Sequence, residues 1–276
     1  MTGRQATIYR VRVPPPLDGL VIVVIGGTSG LGRSAVLACR AAGARVLAVG
    51  PDPAGVASLA ALGDADLRAL GGDAREPHVA ADAIAAARDT WGRFDGLYHV
   101  AGGSGRRWGD GPLDVLTDEG WAATLTLNLT SAAWSMRAAV RALRSDGHGG
   151  AIVVVSSVLA TAPSPRHFST HAYAAAKAGL EGLVRASAAT YAPDDIRINA
   201  LAPGLVETPM SRRAAGDPQI MSVVSRRQAL GGGRIGQPGD LDAAVVFLLS
   251  AGASFVTGQV IAVDGGWSVR DASGDA

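Results

Sequence analysis

Short apolar segments alternate along the chain with longer alanine-rich segments of helical composition. The apolar segments are almost continuous, which is typical of β-strands that are buried on both faces of a sheet. Strands that alternate with helices in this way predict repeated β-α-β units around a parallel sheet. The predicted strands cover residues 20–25, 45–49, 67–70, 96–100, 151–155, 197–201 and 260–263.

Helices are predicted between these strands. Because crossovers between parallel strands are nearly always right-handed, the order predicts a doubly wound α/β domain of Rossmann type. We expect a parallel sheet of about seven strands with helices on both of its faces. The helices are predicted to begin near Leu31, Pro53, Glu76, Asp118, Ala172 and Pro238.

No internal repeat or linker divides the chain, so residues 17–276 are predicted to form a single catalytic domain. Residues 1–16 contain three arginines and no acid, and they are interpreted as an N-terminal tail, with a transit peptide as the alternative. Two longer stretches, 102–111 and 209–233, follow predicted strands. Loops at the carboxyl ends of parallel strands cover ligands, so 209–233 is predicted to be a substrate lid; the alternative is a surface loop without function.

Composition restricts the possible partners. With 48% hydrophobic and 18% charged residues, the chain can bury a large core and is not expected to be disordered. Its 25 basic and 24 acidic residues give a net charge of +1, so no strong field attracts nucleic acid. The longest apolar stretch, 243–256, is too short and too interrupted to span a membrane, which needs about 20 apolar residues. We therefore expect a soluble protein.

A single cysteine, Cys39, excludes an internal disulfide and gives no zinc-binding spacing. No metal site is expected. Because nothing in the cysteine content requires an oxidising compartment, the sequence indicates a cytoplasmic location.

A glycine-rich turn follows the first predicted strand. Residues 26–32 read Gly-Gly-Thr-Ser-Gly-Leu-Gly and lead directly into a predicted helix. Glycines allow the backbone to approach a pyrophosphate, which the free amides and positive end of the helix stabilise. The turn therefore indicates dinucleotide binding, although an ordinary strand-to-helix turn is an alternative explanation.

The only lysine of the chain is Lys177, whereas the other 24 basic residues are arginines. It follows Tyr173 by four residues, which places both side chains on one face of a helix. An ammonium about 4 Å from a phenol, at an effective dielectric of about 20, would stabilise the phenolate by roughly 4 kcal/mol. Lys177 is therefore predicted to lower the pKa of Tyr173 toward neutrality and to make it an acid/base group. The alternative is a packed tyrosine beside a solvated lysine.

These two patterns resemble the Thr-Gly-x-x-x-Gly-x-Gly and Tyr-x-x-x-Lys motifs of the short-chain dehydrogenase/reductase family, with Ile25 in place of the threonine. The resemblance runs from about Leu17 to Ser268. It implies hydride transfer to or from NAD or NADP, with Tyr173 moving the proton and Lys177 holding the nicotinamide ribose. It also implies that Asn128 supports a proton relay through a water.

The resemblance further implies that a serine at the end of the fifth strand binds the substrate oxygen. We choose Ser157, and Ser156 stays open as an alternative, because the interval to Tyr173 is about three residues longer than is usual in the family.

Cofactor contacts are implied for positions that match the family's motifs. Asp73 would bind the adenine amino group, with a helix N-cap as its alternative role. The family's Asn-Asn-Ala-Gly segment is His-Val-Ala-Gly at 99–102, which retains only the last two residues. The full implied set is Gly26, Thr28, Ser29, Gly30, Leu31, Gly32, Asp73, Ala74, Ala101, Gly102, Tyr173, Lys177, Pro203, Gly204 and Thr208.

The choice between NAD and NADP stays open from the sequence. An acid at the end of the second strand would favour NAD, and an arginine there would favour NADP. The chain has Gly50 and Pro51 at these positions, with Asp52 and Arg33 as nearby charges of opposite effect.

The function expected from the sequence is an NAD(P)-dependent oxidoreductase that interconverts a secondary alcohol and a ketone. A dehydratase or epimerase on the same fold and a non-catalytic dinucleotide-binding protein are the alternatives. Family members commonly form tetramers, so a homotetramer, or otherwise a homodimer, is implied. The substrate itself is not identified.

Overall fold

The computed structural model describes residues 15–270. Seven parallel strands form one sheet in the order β3-β2-β1-β4-β5-β6-β7. This order reverses direction between β1 and β4, as in a doubly wound sheet, and it confirms the predicted fold class. The strands are β1 (Val21–Ile25), β2 (Arg45–Gly50), β3 (Leu67–Gly71), β4 (Gly96–His99), β5 (Gly150–Val155), β6 (Ile196–Pro203) and β7 (Val260–Val263).

Helices cover both faces of the sheet. One buried cluster packs α3, α5 and α6 against the sheet, and a second packs α1 and α10 against the opposite face. The helices are α1 (Gly30–Ala41), α2 (Pro53–Ala60), α3 (Val79–Trp91), α4 (Asp118–Leu125), α5 (Ser131–Asp146), α6 (His171–Tyr191), α7 (Arg212–Ala215), α8 (Pro218–Arg227), α9 (Leu230–Gly233) and α10 (Asp242–Leu249).

Several elements differ from the sequence prediction. The edge strands β3 and β7 are partly exposed rather than buried on both faces, because each has a neighbour on one side only. The helix predicted near Glu76 begins at Val79. The helix predicted from Asp118 is two helices, α4 and α5, joined by a wide π-helical turn.

The predicted lid, residues 209–233, contains helices α7, α8 and α9. Ile220 and Val224 of α8 pack with Val158 and Trp267, which come from distant parts of the chain. The lid is therefore a folded segment with a small core of its own. The predicted N-terminal tail lies outside the described residues, apart from positions 15 and 16.

Candidate active site

The glycine-rich turn joins β1 to α1 at the carboxyl edge of the sheet. Gly26 has φ of 90°, and a Cβ atom added there would lie 2.6 Å from the backbone nitrogen of Ala101. A Cβ atom on Gly32 would lie 2.0 Å from the carbonyl oxygen of Gly26. Both positions therefore exclude any side chain, which keeps the backbone of the turn exposed for a close approach.

The N-terminus of α1 is suited to a pyrophosphate. Ser29 makes no side-chain hydrogen bond to the first turn, which also contains no acidic residue. The positive end of the helix dipole and its first amides are therefore not neutralised by a side chain. Thr208 lies against this turn, since a Cβ atom on Gly30 would be 3.3 Å from its Cγ2. The glycine-rich turn, the uncapped N-terminus of α1 and the neighbouring Thr208 together fit a dinucleotide cofactor.

Asp73 does not cap a helix, because α3 begins six residues later. Its carboxylate accepts hydrogen bonds from the backbone and side chain of Arg75, and this contact lowers its pKa. The carboxylate that is expected to contact adenine is thus engaged in an ion pair with Arg75. Ala74 lies beside it and is half-buried.

Lys177 is buried, with 3% of its surface exposed. Its Nζ donates a hydrogen bond of 2.7 Å to the carbonyl oxygen of Val155 and lies 5.6 Å from the centre of the Tyr173 ring. A Cβ atom on Gly102 would be 3.3 Å from the same Nζ and 2.9 Å from Oδ1 of Asn128. The lysine, the asparagine, the tyrosine and the end of β4 therefore surround one space.

The predicted effect of Lys177 on the phenol is not what the structure shows. Burial raises the pKa of Tyr173 above its ordinary value of 10, and only the hydrogen bond with Ser157 opposes this rise. The ammonium is bound by Val155 and does not contact the phenol oxygen. Burial also lowers the pKa of Lys177 from 10.5 to about 8. Tyr173 is therefore a protonated phenol at neutral pH, which is the form that a proton donor needs.

The two candidate serines have different partners. The Ser157 hydroxyl is hydrogen-bonded to the Tyr173 phenol and also accepts a hydrogen bond from the amide of Leu159. The Ser156 hydroxyl points the other way and donates a hydrogen bond of 2.8 Å to Glu181 in the core. Of the two serines, the structure brings Ser157 to the tyrosine.

Asn128 lies in the π-helical turn Thr126–Thr130 and is fully buried. Its amide oxygen accepts a hydrogen bond of 3.0 Å from the Gly103 nitrogen, and its Nδ2 donates to the carbonyl oxygens of Gly103 and Thr124. The wide turn thus directs Asn128 toward the segment that follows β4, next to Lys177.

His99 replaces an asparagine of the family's motif and is buried at the end of β4. Its Nδ1 lies 3.0 Å from the Ser135 hydroxyl and its Nε2 lies 3.4 Å from the Ser131 hydroxyl. Ser131 donates its hydrogen to the Leu127 carbonyl, so Nε2 must donate and Nδ1 must accept. Burial lowers the pKa of this histidine to about 3, which keeps it neutral. His99 thus forms a hydrogen-bond network between β4 and α5.

Asp110 was not predicted as a site residue from the sequence. The structure places this residue at the start of α6, where its carboxylate accepts hydrogen bonds from the backbone amides of Ala172 and Tyr173. One signal was available, because Asp110 is the only acid in the glycine- and arginine-rich stretch 102–111. Its partner could not be read from the sequence, since more than sixty residues separate the two positions.

Within residues 15–270, no group of three or more histidine, cysteine, aspartate or glutamate side chains could hold a metal ion. Over the same range, none of the helices combines the length and the apolar character needed to cross a membrane.

Known proteins resemble this chain over nearly all of its length. A family model described as enoyl-(acyl carrier protein) reductase matches residues 26–268. L-rhamnose 1-dehydrogenase (NAD(P)(+)) from Sphingomonas sp. (strain SKA58) is 34% identical over 260 residues, covering 92% of this chain and 98% of that enzyme. Cis-4-hydroxycyclohexanecarboxylate dehydrogenase from Sinomonas cyclohexanicum is 36% identical over 251 residues, covering 90% of this chain and 96% of that enzyme. A solved short-chain type dehydrogenase/reductase from Mycobacterium ulcerans is 32% identical with a TM-score of 0.83, covering 92% of this chain and 91% of that one.

The chain belongs to the short-chain dehydrogenase/reductase family. It is an oxidoreductase that uses NAD or NADP to interconvert alcohols and ketones. This confirms the family, the type of reaction and the class of cofactor predicted from the sequence.

Proposed function

We propose that this short-chain dehydrogenase/reductase transfers a proton through Tyr173 while the alcohol or ketone carbon of a small hydroxylated substrate exchanges a hydride. The observation that carries the proposal is the convergence of Tyr173, Lys177, Ser157 and Asn128 at the carboxyl edge of the sheet. Bound NAD or NADP supplies or accepts the hydride. The remaining chemistry is done by the side chains of the chain itself.

Each of the four side chains has a distinct task in this mechanism. In reduction, Tyr173 donates its phenol proton to the carbonyl oxygen; in oxidation, the same oxygen accepts the proton of the alcohol after it has been deprotonated to the phenolate. Ser157, which reaches the phenol, orients the substrate oxygen beside it. Lys177 would hold the ribose hydroxyls of the cofactor. Asn128 fixes the segment after β4 and supports proton exchange at Lys177.

The remaining matched positions would hold the cofactor. The glycine turn and the α1 end would bind its pyrophosphate, Asp73 and Ala74 would lie at the adenine, and Ala101, Gly102, Pro203, Gly204 and Thr208 would lie along the nicotinamide half. The helical lid, residues 209–233, would cover the substrate, because it follows β6 at the same edge of the sheet.

We infer that the substrate is a small hydroxylated compound, because the relatives include L-rhamnose, D-threitol and cis-4-hydroxycyclohexanecarboxylate dehydrogenases. The test is a panel of these three alcohols and their oxidised forms, offered with each cofactor while NAD(P)H is followed optically. Net formation or consumption of NAD(P)H is the expected result. Turnover of a panel compound without net NAD(P)H change would favour a dehydratase or epimerase. Cofactor binding without any turnover would favour a non-catalytic protein.

We propose that both NAD and NADP are used, because the end of β2 has neither an acid nor an arginine to discriminate between them. Gly50 leaves no room for a side chain: a Cβ atom there would lie 1.9 Å from Oγ1 of Thr28. Asp52 is occupied as the N-cap of α2, where it accepts hydrogen bonds from Ala54 and Gly55.

Introducing an acid at position 50 tests this explanation. We expect Gly50→Asp alone to weaken binding of both cofactors, because the new side chain collides with Thr28. The double variant Gly50→Asp/Thr28→Ala removes the two nearest colliding atoms, Oγ1 and Cγ2 of Thr28, and leaves a single contact of 2.9 Å with Cβ. It is expected to bind NAD at least about tenfold more tightly than NADP, a difference of about 1.4 kcal/mol. Thr28→Ala alone is the control and should bind both cofactors alike. Fluorescence titration of NADH and NADPH measures all three variants, and an unchanged cofactor ratio in the double variant would contradict the explanation.

We propose a homotetramer in the cytoplasm. A groove of about 750 Å³ runs between α5 and α6, and it is lined by apolar side chains that include Met136, Val140 and Leu183 and by the arginines Arg137, Arg141 and Arg144. The edge strand β7 is only partly covered and provides a second surface. The buried free thiol of Cys39 is compatible with a reducing compartment.

Substitution in the groove should change the assembly. We expect the wild type to sediment as four chains and Leu183→Glu to sediment as a smaller species, because a polar side chain would replace an apolar one in the α5–α6 contact. Leu62→Glu is the matched control, since Leu62 is 50% exposed and lies outside the groove. Analytical ultracentrifugation at one protein concentration compares the three proteins. An equal mass for all three proteins would show that the groove is not part of the interface.

A further inference from the structure

The proposed proton donor lies in the weakest part of its helix. Helix α6 begins at His171, and Tyr173 is its third residue. The first amides of a helix have no acceptor within the helix, so a first turn needs outside partners to stay ordered. Thr170 precedes the helix but makes no side-chain cap hydrogen bond. The position of Tyr173 therefore depends on acceptors from elsewhere.

Two consecutive residues of the segment between β4 and α4 supply those acceptors. Oδ1 of Asp110 accepts from the amide of Ala172 at 3.0 Å, and Oδ2 accepts from the amide of Tyr173 at 3.1 Å. The carbonyl oxygen of Gly111 accepts from the amide of His171 at 3.2 Å. All three amides of the first turn are thus satisfied, and one carboxylate binds the tyrosine's own backbone.

The packing around Asp110 fixes this carboxylate in place. Asp110 is only 4% exposed. Gly109 has φ of 96°, and a Cβ atom there would lie 2.4 Å from Oγ1 of Thr117. A Cβ atom on Gly120 would lie 2.5 Å from the Gly109 carbonyl carbon, and one on Gly105 would lie 2.8 Å from Cβ of Asp110. The glycines therefore allow close packing of the segment instead of making it mobile.

We infer that Asp110 is a positioning residue for Tyr173. Its carboxylate anchors the backbone at the tyrosine, stabilises the positive end of α6 and sets the direction from which the phenol enters the site. The inference rests on the proposed function, in which Tyr173 transfers the proton. It adds a residue that contacts neither the phenol oxygen nor the space between Lys177 and Asn128.

The test compares Asp110 with a second buried aspartate that also binds a backbone amide. Asp95 is 8% exposed and accepts a hydrogen bond of 2.8 Å from the Val21 amide, but it lies at the amino edge of the sheet, away from the site. We make Asp110→Ala, Asp110→Asn, Asp95→Ala and Asp95→Asn. For each, kcat and KM are measured on the panel alcohol that the wild type oxidises fastest, and activity is normalised to folded protein by circular dichroism.

We expect Asp110→Ala to lower kcat by about tenfold or more, because the amides of Ala172 and Tyr173 lose their acceptor and the phenol is no longer held in one direction. The KM for the cofactor should stay unchanged, because the glycine turn is untouched. Asp110→Asn keeps one of the two acceptors and should recover part of the lost kcat. The Asp95 variants should lose stability but keep kcat per folded molecule.

Tyr173→Phe in the same assay distinguishes failure of the proposed function from failure of the positioning role of Asp110. If Tyr173→Phe is inactive and Asp110→Ala and Asp110→Asn keep the kcat of their Asp95 counterparts, the positioning role is wrong and the proposed function stands. If Tyr173→Phe keeps full turnover, the proposed function fails and the inference fails with it. A rise in cofactor KM together with the fall in kcat would also overturn the inference, because it would indicate general loss of the site.

Discussion

Tyr173→Phe is expected to slow reduction of the preferred ketone by about 10²- to 10⁴-fold, the usual contribution of a positioned acid/base group. The phenol oxygen is the atom that exchanges the proton, and the substitution removes that oxygen alone. Burial raises the pKa of Tyr173, so the wild-type phenol is protonated and ready to donate at neutral pH. Cofactor affinity should be unchanged, because the glycine turn and Lys177 remain. Steady-state kinetics and NADH fluorescence titration measure the two effects.

Tyr98→Phe provides the matched control. Tyr98 is fully buried in β4, and its hydroxyl makes no hydrogen bond with any other described residue. Removing this oxygen should leave turnover within about twofold of the wild type, since it serves no group at the site. Retained turnover in Tyr173→Phe, or an equal loss in both variants, would contradict the role of Tyr173.

The sheet could be predicted from the sequence because its central strands are buried on both faces and are therefore almost continuously apolar. The predicted limits of β1, β2 and β5 agree with the structure to within one residue. The edge strands β3 and β7 have similar composition but are partly exposed. Composition reports how apolar a strand is, but not whether a neighbour covers it.

The helices of residues 209–233 could not be predicted in the same way. Helix α8 is capped by Asp217, which a local pattern could have indicated. Its buried face, however, packs on Val158 and Trp267, which lie more than forty residues away on either side. Because the contacts that stabilise this segment are not local, its loop-like composition gave no indication of a packed core.

At the site, local motifs predicted which side chains lie together, but not how their pKa values are shifted. The spacing of Tyr173 and Lys177 placed both side chains on one face of α6. The expected charge effect was wrong, because Nζ binds the Val155 carbonyl and burial dominates both pKa values. The selection of Ser157 over Ser156 and the contact of Asp110 with α6 depend on side-chain directions across distant segments, which spacing does not encode.

Lys177→Met is expected to make the enzyme more stable at neutral pH while nearly abolishing its activity. The folded state lowers the pKa of Lys177 from 10.5 to about 8, so burying the ammonium costs roughly 3 kcal/mol below pH 8. Methionine removes that cost but leaves the Val155 carbonyl without its partner, at about 1 kcal/mol. The net gain in unfolding free energy should be about 2 kcal/mol at pH 7. Turnover should fall by about 10²-fold or more, because the cation that would hold the cofactor ribose is lost.

The pH dependence distinguishes this explanation from a simple packing effect. Below pH 8 the lysine is charged in both the folded and the unfolded chain, so the full cost of burial is present. Between about pH 8 and 10.5 the folded state releases its proton while the unfolded chain keeps it, and the cost declines. The stability advantage of Lys177→Met over the wild type should therefore shrink across this range, as urea unfolding at several pH values would measure. Arg185→Met, which removes an exposed cation from the same helix, should change stability by no more than about 0.5 kcal/mol at any of these pH values. A constant advantage of Lys177→Met from pH 7 to 10.5 would show that packing, and not the buried charge, sets the stability at this position.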